Sequence, residues 1–137
     1  MAHFDFVHLR TCSGYSFKYG TATADQLVQR AAELGMHSLG LTDRDNMAGA
    51  IRFVQACESV SIKPILGVNL SFIQRKYRIT LLATADGGLS ALYQLLTAVN
   101  FAGGLLTHEL LQQNIQYSKK LLAIHGPDSQ IATAIGA

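Results

Sequence analysis

The chain has 137 residues, with 11 Lys and Arg, 9 Asp and Glu and 5 His, and its formal net charge is +2. Its length suits one domain or part of one, and its 49% hydrophobic content excludes a disordered chain, which would need low hydrophobicity and high net charge. The charge is too small to indicate nucleic-acid binding by bulk electrostatics. The two cysteines are too few for a disulfide scaffold and are typical of a reducing compartment.

The N-terminal residues, Met1 to His8, lack the basic region and apolar segment of a signal peptide. Charged or polar residues interrupt every apolar stretch before the ~18 residues that a spanning helix requires. We therefore expect a cytoplasmic protein with no membrane association.

The first half of the chain alternates between strand and helix signals. His3 to Leu9 is short, apolar and β-favouring, which predicts a first strand followed by a polar loop. Thr23 to Gln26 matches a capping box and predicts a helix that ends at Gly35. Ser38 to Thr42 predicts a second, buried strand. The next helix is expected to place its apolar residues on one face: Met47, Ala50, Ile51, Val54 and Cys57.

Two neighbouring strands open the second half. Pro64 to Phe72 and Tyr77 to Ala83 predict a third and a fourth strand. The basic residues at their connection are expected to form a solvated hairpin rim: Arg75, Lys76 and Arg78.

Helix signals dominate the rest of the chain. Gly88 begins a helix that Gly103 and Gly104 end. Its apolar face is expected to carry Leu89, Leu92, Tyr93, Leu96 and Val99. A short helix from Thr107 to Gln113, a strand from Leu121 to His125 and a helix from Asp128 follow.

The order of these elements, βαβαββααβα, predicts an α/β fold with a mostly parallel sheet and covering helices. A complete barrel of alternating strands and helices requires about 250 residues. We therefore expect residues 1–137 to form the N-terminal portion of a larger domain, truncated before a barrel closes.

Two polar clusters follow the ends of the first two predicted strands, where ligands gather in α/β folds. His8 and Arg10 are two residues apart, so they share a face of their strand, and Asp43 ends the neighbouring strand. On the pattern alone, a simpler interpretation is favoured, in which His8 is a hydrogen-bonded strand-end residue and Asp43 shapes a turn.

Several blocks of the sequence resemble the PHP (polymerase and histidinol phosphatase) domain family. In chain order they are FVHLRTCSGYS from Phe6, LTDRDNM from Leu41, IKPILG from Ile62, TLLA from Thr80 and KLLAIHG from Lys120. The similarity is greatest to the PHP domain at the N-terminus of the bacterial replicative DNA polymerase III alpha subunit.

The resemblance implies a distorted (β/α)7 barrel with a metal cluster at its mouth, where active members bind Zn, Mn or Fe and hydrolyse phosphoesters. The metal motifs of the family are H-x-H, T-D-H and a Glu after the P-I-[IL]-G strand. Carried over by position, these motifs retain His8 and Asp43. The remaining ligand positions hold Arg10, Arg44 and Asn69.

These substitutions predict a degenerate metal site. A guanidinium group stays protonated and has no lone pair for a cation, so neither Arg10 nor Arg44 can be a ligand. An amide oxygen without charge weakens a Zn or Mn site. We hypothesise that one of these arginines pairs with Asp43 in place of a metal; the alternative for Arg44 is a solvated loop cation.

The resemblance implies a segment of a DNA-directed DNA polymerase in DNA replication that has no activity of its own. It would dock on the remainder of the alpha chain and, in some lineages, on the proofreading exonuclease subunit. Polymerisation with its Mg²⁺ ions would belong to a separate palm region, and the full polymerase would bind DNA.

Two alternatives remain open from the sequence. One is an active metal-dependent phosphoesterase or 3′–5′ exonuclease that binds Zn or Mn through His8, Asp43 and ligands beyond Ala137. The other is a free-standing PHP-like protein with no polymerase attached.

Overall fold

The computed structural model describes residues 6–72, 77–84, 86–114, 116 and 119–124. The helices are α1 (Ala24–Glu33), α2 (Ala50–Ser59), α3 (Gly88–Phe101) and α4 (His108–Gln113). The strands are β1 (Ser38–Arg44), β2 (Lys63–Phe72), β3 (Tyr77–Ala83) and β4 (Leu121–Ile124). The α/β class is therefore confirmed, whereas His125 and the helix expected from Asp128 lie outside the described residues.

The sheet has the order β1-β2-β3-β4, and its strand directions are mixed. β1 and β2 are parallel, whereas β3 is antiparallel to both β2 and β4. The prediction of a mostly parallel sheet is therefore only partly correct. The reason is the connection between Phe72 and Tyr77, which is too short for the crossover that a parallel pair requires, so β3 returns as a hairpin partner.

The expected first strand is not a strand where the structure describes it, from Phe6 to Leu9; residues 3–5 lie outside the described part of the chain. This segment nevertheless follows the free edge of β1. The Gly40 N–H donates to the His8 carbonyl at 2.7 Å, and the Thr42 N–H donates to the Thr11 carbonyl at 2.9 Å. The two acceptors, His8 and Thr11, are three residues apart, whereas the two donors, Gly40 and Thr42, are two residues apart. A regular ladder of hydrogen bonds therefore cannot form.

Side-chain caps explain where two of the helices begin. Thr23 and Gln26 form the predicted capping box of α1: the Thr23 Oγ1 accepts from the Gln26 N–H at 3.2 Å, and the Gln26 Oε1 accepts from the Thr23 N–H at 2.9 Å. Thr107 caps α4 by accepting from the Leu110 N–H at 3.1 Å. These short polar motifs were readable in the sequence because both partners are local.

The buried faces of α2 and α3 differ in part from the predicted ones. α2 begins at Ala50, so Met47 precedes it, and Ile51 is exposed. Its buried residues are Ala50, Phe53, Ala56 and Cys57. In α3, Leu89 and Tyr93 are exposed, and the buried residues are Gly88, Ala91, Leu92, Leu95, Leu96 and Val99. Apolar residues occur on adjoining faces of each helix. The face that carries Phe53 in α2 and Leu95 in α3 packs against the sheet.

The helices build the core on one face of the sheet. Leu39 and Leu41 of β1 pack with Val28 of α1 and Phe53 of α2. A second group of buried residues joins β2 and β3 to α3, with Leu92 at its centre. Within the described residues, no helix is long and apolar enough to cross a membrane.

The opposite face of the sheet is crowded by backbone atoms. A Cβ at Gly40 would lie 2.7 Å from the Leu9 carbonyl oxygen, and one at Gly67 would lie 2.5 Å from the Leu81 carbonyl oxygen. Neither position can therefore hold a side chain without movement of the neighbouring backbone. Thr42 and Gly67 are register partners, so the close approach at Gly67 lies beside the carboxyl-terminal part of β1.

The core assignment of α2 is tested by Phe53→Ala, with Ile51→Ala on the same helix as its control. We expect Phe53→Ala to lower the free energy of unfolding by about 3–5 kcal/mol, because it leaves a cavity between α2 and β1. Ile51→Ala removes an exposed side chain and is expected to cost less than about 0.5 kcal/mol. Urea unfolding followed by circular dichroism measures both, and equal effects would contradict the assignment.

Candidate functional site

Asp43 is the most deeply buried acidic residue of the described chain, with 1% of its surface exposed at the end of β1. Its Oδ1 accepts hydrogen bonds from the Ser13 N–H and the Ser16 hydroxyl, both at 2.7 Å. Its Oδ2 accepts from the Ser13 hydroxyl at 2.7 Å. A buried carboxylate is stable only when such bonds replace its lost hydration, and bonds to a charged acceptor are the strong ones. This carboxylate is therefore fully engaged by one loop.

The loop from Ser13 to Gly20 is shaped to make these contacts. The Ser16 N–H donates to the Ser13 carbonyl at 2.9 Å, which closes a turn and brings both hydroxyls to the same side. The Ser16 hydroxyl also accepts from the Arg44 N–H at 2.9 Å. Loop and strand are thus joined by backbone and side-chain bonds around a single carboxylate.

A second polar cluster, the Arg78 cluster, lies on β2 and β3 and the turn after β1; it comprises Asp45, Asn69, Ser71, Arg78 and Thr80. The Arg78 Nε donates to the Asn69 Oδ1, and its Nη2 donates to the Asn69 carbonyl at 2.6 Å. The Arg78 Nη1 donates to the Ser71 hydroxyl at 2.8 Å. The Asn69 amide also donates to the Thr80 hydroxyl at 3.0 Å.

An acidic residue completes the charge balance of this cluster. The Asp45 Oδ2 lies 3.1 Å from the Arg78 Nη2, and its Oδ1 accepts from the Ser71 N–H at 2.8 Å. Asp45 has a φ of 58°, a left-handed conformation that costs energy for a residue with a side chain. Its bonds to Ser71 and Arg78 hold it there, so the turn after β1 is fixed by the same arginine that engages β2.

The predicted metal-site positions Asp43 and Asn69 contact different groups in the structure. Asp43 bonds to Ser13 and Ser16, whereas Asn69 bonds to Arg78 and Thr80, so the two clusters share no partner. In the register, Asn69 faces Arg44 and not Asp43, and successive residues of a strand point to opposite faces. His8 and Arg10 are exposed on the N-terminal segment.

The hypothesis that Arg10 or Arg44 pairs with Asp43 is wrong. Among the ion pairs of the described residues, none involves these three side chains. The Arg44 guanidinium instead lies 3.5 Å from the centroid of the Tyr19 ring. Serine hydroxyls satisfy the carboxylate without burying a second charge, which removes the electrostatic need for an arginine beside it.

Arg78 is the residue that sequence reasoning misjudged. It was expected in a solvated rim, yet 19% of its side chain is exposed, while Arg75 and Lys76 lie outside the described residues. The alternation of side chains along a strand could have indicated this position, because Arg78 and Thr80 share one face of β3. Their register partners, Ser71 and Asn69, share the adjoining face of β2.

Neither cluster contains three of the side chains that commonly ligate metals. Across the described residues, no group of three or more His, Cys, Asp or Glu side chains is arranged to hold one. Of the two thiols, Cys57 is buried in the core as predicted, and burial raises the pKa of its thiol to about 11. Since the thiolate is the reactive and ligating form, Cys57 is not a reactive group.

Comparison with known proteins finds a matching domain family and a group of DNA polymerases. The PHP domain matches residues 8–136. An error-prone DNA polymerase of Symbiobacterium thermophilum is 41% identical over 95 residues, which cover 69% of this chain and 9% of the relative. The DNA polymerase III subunit alpha of Bacillus subtilis is 39% identical over 95 residues, which cover 66% of this chain and 8% of the relative. The chain therefore spans less than a tenth of the length of these relatives.

Two solved structures share the fold. A candidate metal-dependent phosphoesterase from Bifidobacterium adolescentis has a TM-score of 0.50 and 25% identity, covering 70% of this chain and 32% of that one. An amidohydrolase from Chromobacterium violaceum, with bound sulfate and no metal, has a TM-score of 0.52 and 23% identity, covering 71% of this chain and 39% of that one. Both matches support the mixed α/β arrangement of sheet and helices.

The structural role of Asp43 is tested by Asp43→Asn, with Asp25→Asn as the control. An amide has one acceptor oxygen in place of two and brings its own N–H donors towards the Ser13 hydroxyl, so we expect a loss of about 2–4 kcal/mol in unfolding free energy. Asp25 is exposed and pairs with Arg52 at 2.9 Å, so its amide variant should lose less than about 1 kcal/mol. Urea unfolding compares the two, and a similar loss in both would contradict the role given to Asp43.

Proposed function

The chain belongs to the PHP domain family, and we propose that it is the PHP segment of a bacterial DNA polymerase III alpha subunit that serves assembly and not hydrolysis. The proposal is supported by the polymerase relatives, which match the chain over about two thirds of its length. We also propose that its strands and helices are the first part of a distorted (β/α)7 barrel, completed by the remainder of the alpha chain.

The observation that carries this proposal is the position of Arg78. The family resemblance assigns Asn69 to a position where active members have a glutamate ligand. Here the amide oxygen and the carbonyl oxygen of Asn69 both accept hydrogen bonds from Arg78. The Arg78 guanidinium therefore occupies the position that a divalent ion would need beside residue 69, and its permanent positive charge repels such an ion.

The retained ligand positions support the same conclusion. Three of the about four lone pairs of the Asp43 carboxylate accept hydrogen bonds from Ser13 or Ser16, which leaves little of it for a metal. His8 lies on the exposed N-terminal segment, where its ring packs edge-to-face on the ring of Phe6, with 4.6 Å between the two ring centroids. Together these residues fall short of the three protein ligands of a catalytic zinc centre.

In this proposal Arg78 is a fixed counterpart of the metal. It joins β2, β3 and the turn after β1 through Asn69, Ser71 and Asp45, as a bound ion would join its ligands. DNA synthesis and its Mg²⁺ ions would belong to another part of the polymerase. The partners of this segment would be the remainder of the alpha chain and the proofreading exonuclease subunit.

An active phosphoesterase is the second candidate, favoured by the similarity to the protein from Bifidobacterium adolescentis. Metal content separates the two functions. The purified complete domain, including the ligands expected beyond Ala137, is incubated with excess Zn²⁺ or Mn²⁺, desalted and measured by mass spectrometry of the metals. We expect well below one ion per chain and no change in the melting temperature on addition of EDTA. Near-stoichiometric metal that His8→Ala removes would establish the second candidate and overturn the first.

The role of Arg78 is tested by Arg78→Met, with Arg30→Met as the control. Methionine keeps much of the side-chain volume but leaves the polar groups of Asp45 and Asn69 without their partner, so we expect a loss of about 2–4 kcal/mol in unfolding free energy. Arg30 is exposed and pairs with Glu33 at 3.0 Å, and its variant should lose less than about 1 kcal/mol. Comparable losses in the two variants would show that Arg78 has no special role.

A further inference from the structure

The loop from Ser13 to Gly20 exposes three aromatic rings in alternation. Tyr15, Phe17 and Tyr19 are 58%, 81% and 64% exposed. The buried serines of the same loop face inward to Asp43. We call this surface, formed by the three rings, the aromatic loop. Burial of a large aromatic ring within the fold is favourable, so rings that stay exposed and grouped on one loop are typical of a recognition surface.

The aromatic loop is held in shape before any partner arrives. The Gly14 N–H donates to the Ala22 carbonyl at 2.8 Å, and the Tyr19 N–H donates to the Ser16 carbonyl at 2.9 Å. The Tyr15 ring lies against the backbone of Gly49 at the start of α2. A surface fixed in this way loses little conformational entropy when it binds a partner.

Cations accompany the rings. The Arg44 guanidinium lies 3.5 Å from the Tyr19 ring centroid, and the Lys18 Nζ lies 5.8 Å from that of Phe17. Arg10 is exposed, and in the described part of the chain it takes part in no ion pair. Arg10 and Tyr19 also line a cleft of about 370 Å³ with an apolar floor that includes Leu27 and Leu39.

Nearby acidic groups do not neutralise these cations. Asp43 is buried beneath the loop and bonded to its serines, and Asp45 pairs with Arg78. The net charge of the chain is only +2. On and beside the loop, the three cations Arg10, Lys18 and Arg44 outnumber the one carboxylate bonded to it, which is Asp43. The partner should therefore be anionic and should present flat faces to the rings.

We propose that the aromatic loop binds single-stranded nucleic acid. Exposed bases would stack on Phe17 and Tyr19, while Lys18, Arg10 and Arg44 would contact the phosphates. A duplex hides the faces of its bases, and an acidic peptide offers few planar groups, so the combination of rings and cations favours a single strand. This inference goes beyond assembly of the polymerase, because it assigns a nucleic-acid ligand to the segment itself.

The test uses the purified 137-residue chain and a fluorescein-labelled thymidine oligonucleotide of about 15 nucleotides, a length suited to small single-strand sites. Fluorescence anisotropy at low salt measures the dissociation constant. We expect Phe17→Ala and Tyr19→Ala each to weaken binding by about tenfold or more, since stacking contributes about 1–3 kcal/mol per base. Lys18→Gln should reduce the salt dependence of binding by about 0.7 in the log–log slope.

Phe101→Ala is the matched control, because Phe101 is 89% exposed at the end of α3, a helix that packs on β2, β3 and β4. It should bind the oligonucleotide as tightly as the unmodified chain. No binding by chain shown to be folded by circular dichroism would overturn the proposal. So would an equal loss in Phe101→Ala, equal affinity for a duplex, or displacement by polyglutamate at equal charge concentration.

Discussion

The end of β1 depends on one buried carboxylate. Asp43 accepts three short hydrogen bonds from Ser13 and Ser16, and both residues belong to a loop more than 20 positions earlier in the chain. Without these bonds a charge at 1% exposure would be strongly unfavourable, and without the charge the loop would have no anchor on the sheet. The geometry of the aromatic loop and the position of Arg44 both follow from this contact. An aspartate that belongs to a metal motif by resemblance thus acts here as the acceptor that organises a loop.

The strand ends are also held by Arg78. It engages Asn69, Ser71 and Asp45 at once, and it fixes a turn in which Asp45 has a left-handed backbone. The two clusters lie on neighbouring strands but use separate partners. Within the Arg78 cluster the charges are paired, because the Asp45 carboxylate lies 3.1 Å from the Arg78 guanidinium, and this pair joins the turn after β1 to β3.

Local signals made most of the fold predictable from the sequence. The capping box at Thr23 and Gln26 predicted the start of α1. The predicted helix from Thr107 to Gln113 matches α4 apart from its first residue, and short apolar segments predicted β1 to β4 to within a few residues. The faces of α2 were less certain, because the sequence alone does not say whether Ile51 or Phe53 meets the sheet. The partners of charged side chains were the least predictable. Asp43 and Arg78 chose partners that only the folded loop and the hairpin bring near, so motif positions suggested the wrong arginines.

The two glycines on the helix-free face of the sheet have a consequence for shape. At Gly40 and Gly67 the neighbouring backbone comes closer than a methyl group would allow. A methyl group at either position would push the neighbouring backbone away from the strand. The absence of two methyl groups therefore decides how closely the N-terminal segment can approach β1 and how closely β3 can approach β2.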